Sequence, residues 1–167
     1  MKIKSLTTKE LYDQFLNYFK VQELVSPGAY NKYKHHGDYF FLSRFDKRLI
    51  ENMLWIRETI GVPITVNDWL WGGRFDERGI RDTSTPMVQN RASNNDPWLS
   101  GHVLAMALDY DVELQTAEEH RAWLVARSEL LPNPIRLERK YNGLQINWVH
   151  LDVCDDPKNP KVYEFDI

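Results

Sequence analysis

Two histidines and an aspartate carry the most specific chemical signal in this chain: His102 in Ser100-Gly101-His102, Asp109 in Ala107-Leu108-Asp109, and His150 in Trp148-Val149-His150. Two imidazoles and one carboxylate form a three-ligand set that leaves a fourth position for water, the arrangement of a catalytic zinc rather than a structural one. Their spacing restricts the backbone. His102 and Asp109 are seven apart, so a straight helix would separate them by about 10 Å and a straight strand by more than about 20 Å. Neither distance suits bonds of about 2 Å to one ion. The chain must therefore turn between them, with His102 on a loop, Asp109 on the following strand and His150 on a neighbouring hairpin strand. Asp111 shares the strand face of Asp109 and is an alternative ligand. Cys154 is the sole cysteine, which excludes an intrachain disulfide and a multi-cysteine zinc cage. Asp155 and Asp156 beside it raise a thiol pKa, which argues against a nucleophile. His35, His36 and His120 lack the flanking pattern and read as exposed.

The elements that must position these groups follow from capping signals and periodicity. Thr7 with Glu10 has capping-box spacing, and Leu11, Phe15 and Phe19 recur every four residues, which predicts a helix over about 8–20. Residues 25–37 show no period and read as a loop. Ser43 with Asp46 repeats the capping logic before a second helix that stops at Gly61. Val62 to Val66 is a short β-branched strand. Residues 69–99 are rich in Gly, Arg, Asn and Asp, and so long a connection in a compact domain is more often functional than idle. Its tryptophans, Trp69, Trp71 and Trp98, either pin this segment or wall a substrate groove. Thr116 with Glu119 opens a helix of about 117–131 that Pro132 ends. Ile135 to Val153 reads as two strands around Asn142-Gly143, a strong two-residue hairpin signal. The order argues for an α+β fold with a small antiparallel sheet flanked by helices.

With 167 residues, 43% hydrophobic and 27% charged, the chain has the size of one domain and the apolar content for a core. The net charge of −3 is spread without blocks of one sign, so no footprint for nucleic acid appears. No run of 18 apolar residues suggests a membrane segment, and the N-terminus reads as a polar helix rather than a signal peptide. The expectation is a soluble monomer, made in the cytoplasm, that another agent must carry to any target beyond the membrane.

The pattern Ser100-x-His102-x6-Asp109, with Ala107 two before the Asp and Trp148-x-His150 about forty residues on, resembles the zinc D-alanyl-D-alanine carboxypeptidase and endolysin family, the M15 peptidases. Phe19 to Leu24 resembles the family's N-terminal element. Leu49 to Thr65, through Ile56-Arg57-Glu58-x-x-Gly61-x-Pro63-Ile64, resembles the helix before its central strand. The likeness spans about residues 15–153. It implies Zn²⁺ on His102, Asp109 and His150, where the metal would polarise a peptide carbonyl and acidify its bound water. The implied substrate is the stem peptide of bacterial peptidoglycan, and Ser100, Arg78, Asn147 and Trp148 are the candidate residues to bind it in this chain. The small size and absent export signal look like phage-type members, acting at the cell wall after release.

Three departures from the family pattern carry physical consequences. Its glycine after the first His is Ala105 here, which is strained if the turn is left-handed. Its Arg after the central strand is missing, so a carbonyl-clamping guanidinium must come from Arg74, Arg78 or Arg81. Gly79 permits close approach beside Arg81 and favours it. Its Glu three residues before the second His is Asn147, and an amide cannot take a proton from water. With a two-residue turn at Asn142-Gly143, Glu138 falls opposite Asn147, on the face away from His150. Only a bulge or twist would bring Glu138 to the metal, and Asp152 is the competing base. Without a base, the same residues would make a zinc-containing binding or structural module.

Overall fold

The computed structural model describes residues 3–96, 99–155 and 161–167; Trp98 and Asp156, weighed above, lie outside the described residues. Among the described residues, six α-helices and a five-stranded mixed sheet make an α+β fold. The helices are α1 Thr8–Leu16, α2 Pro27–Tyr33, α3 Asp38–Leu42, α4 Lys47–Ile60, α5 Pro86–Ser93 and α6 Ala117–Val125. The strands are β1 Ile64–Thr65, β2 Ala107–Val112, β3 Ile135–Tyr141, β4 Leu144–Asp152 and β5 Val162–Asp166, in the order β1-β2-β4-β3-β5. Neighbours are antiparallel except that β5 runs parallel to β3, which corrects the wholly antiparallel sheet predicted from the sequence.

Local chemistry explains the elements. Thr7 and Thr116 each accept a bond from the amide three residues on, and Glu10 and Glu119 reach back to the cap amides, closing both capping boxes. Asp46 caps α4 through the Arg48 amide, while Ser43 bonds back to the Phe40 carbonyl. Gly61, with φ of 74°, ends α4 in the left-handed region. The first helix is shorter than 8–20: Phe19 stays buried and stacks on Phe15, but from the turn that follows. Residues 25–37, expected as a loop, hold α2. Ser26 caps it by accepting from the Ala29 amide, and Pro27 starts it, an N-cap and first-turn signature that a periodicity test cannot register in one or two turns. The connection over 69–99 similarly contains α5 behind Thr85-Pro86.

The sheet has two chemically distinct faces. Leu137, Leu151 and Leu108 sit side by side across β3, β4 and β2, next to Val149 opposite Tyr110. These pack in one core with Leu11 and Phe15 of α1 and Leu49, Ile50, Met53, Leu54 and Ile56 of α4. Strand alternation sends the intervening residues to the other face, where polar groups gather.

His120 is wholly buried, which corrects its reading as an exposed residue. It stacks on Trp123, its Nδ1–H donates to Gln115 Oε1, and its Nε2 accepts from the Tyr110 hydroxyl, so both ring nitrogens are satisfied in the neutral form. Burial, with the Arg121 charge beside it, pushes its pKa down to about 4. Because the folded value lies below the unfolded one of about 6.5, its contribution is complete above that pH and is lost as pH falls towards 4, by about 3 kcal/mol. His120→Phe should therefore show a visibly shallower loss of stability than wild type between pH 6.5 and 4.5 in urea titrations. Parallel curves would contradict this.

Candidate metal centre

On the polar face, Asp109, His150, Glu138 and Phe165 stand in one row across β2, β4, β3 and β5, each opposite the next. The adjoining row holds Ala107, Asp152, Arg136 and Tyr163. His102 reaches the first row from the turn before β2, where the Leu104 amide bonds Ser100 O, Ala105 bonds His102 O, and Met106 bonds Gly101 O at 2.7 Å. Ala105 does adopt the left-handed region, with φ of 56°, and a residue with a Cβ there costs about 1–2 kcal/mol.

The long connection supplies the other wall of this turn. Gly79 O accepts from His102 Nδ1 at 2.8 Å, Arg78 O accepts from the Asp109 amide at 2.8 Å, and the Arg81 amide bonds His102 O. Gly79 itself presses on the N-terminal third of the chain: a Cβ there would lie 1.9 Å from the Leu24 carbonyl oxygen. The close approach this glycine permits is therefore to Leu24, rather than to a ligand beside Arg81.

The three side chains converge. His102 Nε2 lies 3.3 Å from Asp109 Oδ2 and 3.3 Å from His150 Nδ1, and His150 Nδ1 lies 2.7 Å from Asp109 Oδ1. One ligand atom from each falls within 4.8 Å of the others, a donor set that fits a divalent ion. His102 and Asp109 are buried, while the His150 side chain keeps 12% exposure and opens the centre to a cleft. Both imidazoles have a second partner. Gly79 O fixes His102 with Nε2 free for a metal, and Asp152 Oδ2 stands 3.4 Å from His150 Nε2, leaving Nδ1 inward.

Electrostatics at the centre follow from this packing. Burial alone would raise the Asp109 pKa, yet the two imidazoles override it and hold the carboxyl far below the usual range. Burial disfavours the charged form of His150 too, but bonds to Asp109 and Asp152 win and raise its pKa. His102, more deeply enclosed, is lowered by burial.

Glu138 arrives by a bulge. The hairpin starts in simple register, Tyr141 opposite Leu144 and Lys140 opposite Gln145, through a turn in which Asn142 and Gly143 have φ of 52° and 76°. Beyond Arg139 the register shifts, and Glu138 faces His150 instead of Asn147. Glu138 is buried, its Oε1 has no hydrogen-bond partner among the described residues, and burial together with Asp109 and Asp152 raises its pKa against the pull of His150 and Arg81. Asp152 is differently placed. It receives Arg136 through Nε at 2.7 Å and Nη2 at 3.0 Å, and the Cys154 amide at 2.9 Å, so it is engaged as the group that orients His150.

The cleft has a volume of about 470 Å³. Arg81 and Ser100 line it, as do Trp148, Glu138, Asp152 and the three ligand candidates. Arg81 donates to Asp109 Oδ2 at 3.0 Å and to Glu77 O at 2.7 Å, a fixed cation at the centre's edge. Ser100 Oγ also accepts from the Val103 amide. Two of the candidate substrate-binding residues lie elsewhere. Arg78 pairs with Asp111 at 2.5 Å and stacks on Phe75, which also removes Asp111 from the ligand candidates, and Asn147 is exposed outside the cleft. Trp69 bonds the Val25 carbonyl and Trp71 is exposed beneath Lys20, and neither lines the cleft. Cys154 does line it, with its thiol pushed up to about 11 by burial and Asp152. Sequence reasoning missed Arg136, Tyr141 and Phe165 on the cleft wall; the alternation of Val162 to Asp166 was the available signal for Phe165.

No protein-family model, no curated protein and no solved structure matches the chain.

Proposed function

We propose that this chain is a zinc-dependent peptidase of the carboxypeptidase and endolysin type, acting on peptidoglycan stem peptides. The observation that carries the proposal is the single row of Asp109, His150 and Glu138, with His102 closing over it. His102, Asp109 and His150 would hold the ion, which when bound polarises a carbonyl and makes water a usable nucleophile near neutral pH. Glu138 is the one cleft carboxylate with an uncommitted oxygen among the described residues; it takes the proton released on attack and returns it to the departing amine. Arg81 presents a positioned cation towards the oxyanion that develops on the carbonyl. Asp152, held by Arg136, keeps the His150 tautomer fixed. Trp148, Tyr141 and Phe165 give the substrate an aromatic wall.

The exposed place of Asn147 favours Glu138 as base over loss of a base, because the family's Glu position does not face the cleft in this chain. Digestion of purified muropeptides, read by mass spectrometry, tests the proposal. Zinc-loaded protein should release peptide or amino-acid products, chelation should stop release, and added zinc should restore it. Stoichiometric zinc binding with no product from any muropeptide would instead support the non-catalytic zinc module.

A further inference from the structure

The register shift that delivers Glu138 leaves an imbalance in the hairpin. Between the pairs Lys140–Gln145 and Glu138–His150, β3 has only Arg139 while β4 has Ile146, Asn147, Trp148 and Val149. Three extra residues on one strand form a wide bulge, and bulges interrupt the ladder and leave main-chain groups in want of partners. The number matters as well. An odd shift exchanges the two faces of a strand, so three residues turn Glu138 to the side of His150, where two would have left it on the opposite side.

Two of the bulge carbonyls are met by one side chain from outside the sheet. Arg121 of α6 donates from Nη1 to Trp148 O at 3.0 Å and from Nη2 to Ile146 O at 3.4 Å. It is buried, with 4% exposure, and among the described residues its hydrogen bonds go to these carbonyls and to no carboxylate. A buried cation committed to main chain is unusual, because burial of charge is costly without strong hydrogen bonds. The planar fork of guanidinium can serve two acceptors at once, and Ile146 and Trp148 both lie in the stretch of β4 that has no pairing partner on β3.

We infer that Arg121 is a positioning residue: by bridging Ile146 O and Trp148 O it holds the β4 bulge, and through that bulge it sets Glu138 against His150. The inference rests on the reading of Glu138 as proton acceptor for its catalytic consequence, and on geometry alone for its structural one. His150 remains paired to Asp109 on β2 independently of Arg121, so the ligand set and the register of Glu138 are separable.

The test compares wild type with Arg121→Met and Arg121→Lys as the whole chain loaded with zinc. Nuclear Overhauser contacts between the main chains of Glu138 and His150 report the register directly. Arg121→Met should lose that contact, keep the one between Leu108 and Leu151, bind zinc with unchanged stoichiometry, and show kcat on a muropeptide lowered about tenfold or more with KM little changed. Arg121→Lys, which replaces two donor nitrogens held in a planar fork by a single ammonium, should weaken the contact and the turnover to an intermediate degree. An Arg121→Met protein that keeps both the Glu138–His150 contact and kcat overturns the inference, as does one that loses stability alone. If Arg121→Met does not fold, Arg121→Lys decides: an undiminished contact overturns the assignment. If wild type turns over no muropeptide, the peptidase reading fails while the contact measurement still decides the role of Arg121.

Discussion

Glu138→Gln is expected to lower kcat on muropeptides by about 10²–10⁴, which corresponds to roughly 3–5 kcal/mol of transition-state stabilisation, while zinc still binds one per chain. The amide keeps the shape of the side chain and its place opposite His150 but cannot accept a proton. Unfolding is separable from this loss. The wild-type carboxylate is buried with an unpartnered oxygen, and burial already raises its pKa, so neutralising it relieves a desolvation cost. The melting temperature of the Gln variant should accordingly equal or exceed that of wild type. Retained turnover in Glu138→Gln would remove Glu138 as the base and return the question to Asp152, for which Asp152→Asn is then the decisive variant.

His150→Ala should weaken zinc binding about a thousandfold, from roughly nanomolar to roughly micromolar. If a bound ion contributes on the order of 12 kcal/mol and each of three ligands an equal share, loss of one costs roughly 4 kcal/mol, about a thousandfold in affinity. Binding to wild type should also release a proton. In the metal-free centre His150 lies between Asp109 and Asp152, whose bonds overcome the effect of burial and raise its pKa, so near neutral pH its Nδ1 carries a proton that a metal must displace. The apparent affinity therefore weakens as pH falls, about tenfold per unit while one proton is exchanged. Titration calorimetry in buffers of different ionisation enthalpy measures that proton. Equal zinc affinity in wild type and His150→Ala would refute the three-ligand centre.

The parts of this molecule that were legible in its sequence are those fixed by neighbours along the chain. Capping boxes at Thr7 and Thr116, the stop at Gly61 and the turn at Asn142-Gly143 are all local, and each stands in the structure. The seven-residue spacing of His102 and Asp109 demanded a turn between them, and that demand is also local. Contacts from afar decided the rest. The place of Glu138 depends on a bulge whose carbonyls are met by Arg121 on another element. Arg78 is drawn away from the cleft by Asp111, and His120 is enclosed by Tyr110, Gln115 and Trp123. The α2 and α3 helices are too short for a periodic pattern, and β5 finds its partner only through parallel pairing across the sheet.

The contact of Gly79 with Leu24 has a bearing on how this protein can be shortened. Leu24 supplies no atom to the cleft, yet its carbonyl braces the strip of chain whose next oxygen steadies one imidazole. A fragment that begins after Leu24 would retain His102, Asp109, His150 and Glu138 and still lack the brace. The smallest unit that keeps this centre intact is thus larger than its roster of polar groups suggests, because the amino-terminal segment acts as a buttress for the cluster rather than as its prelude.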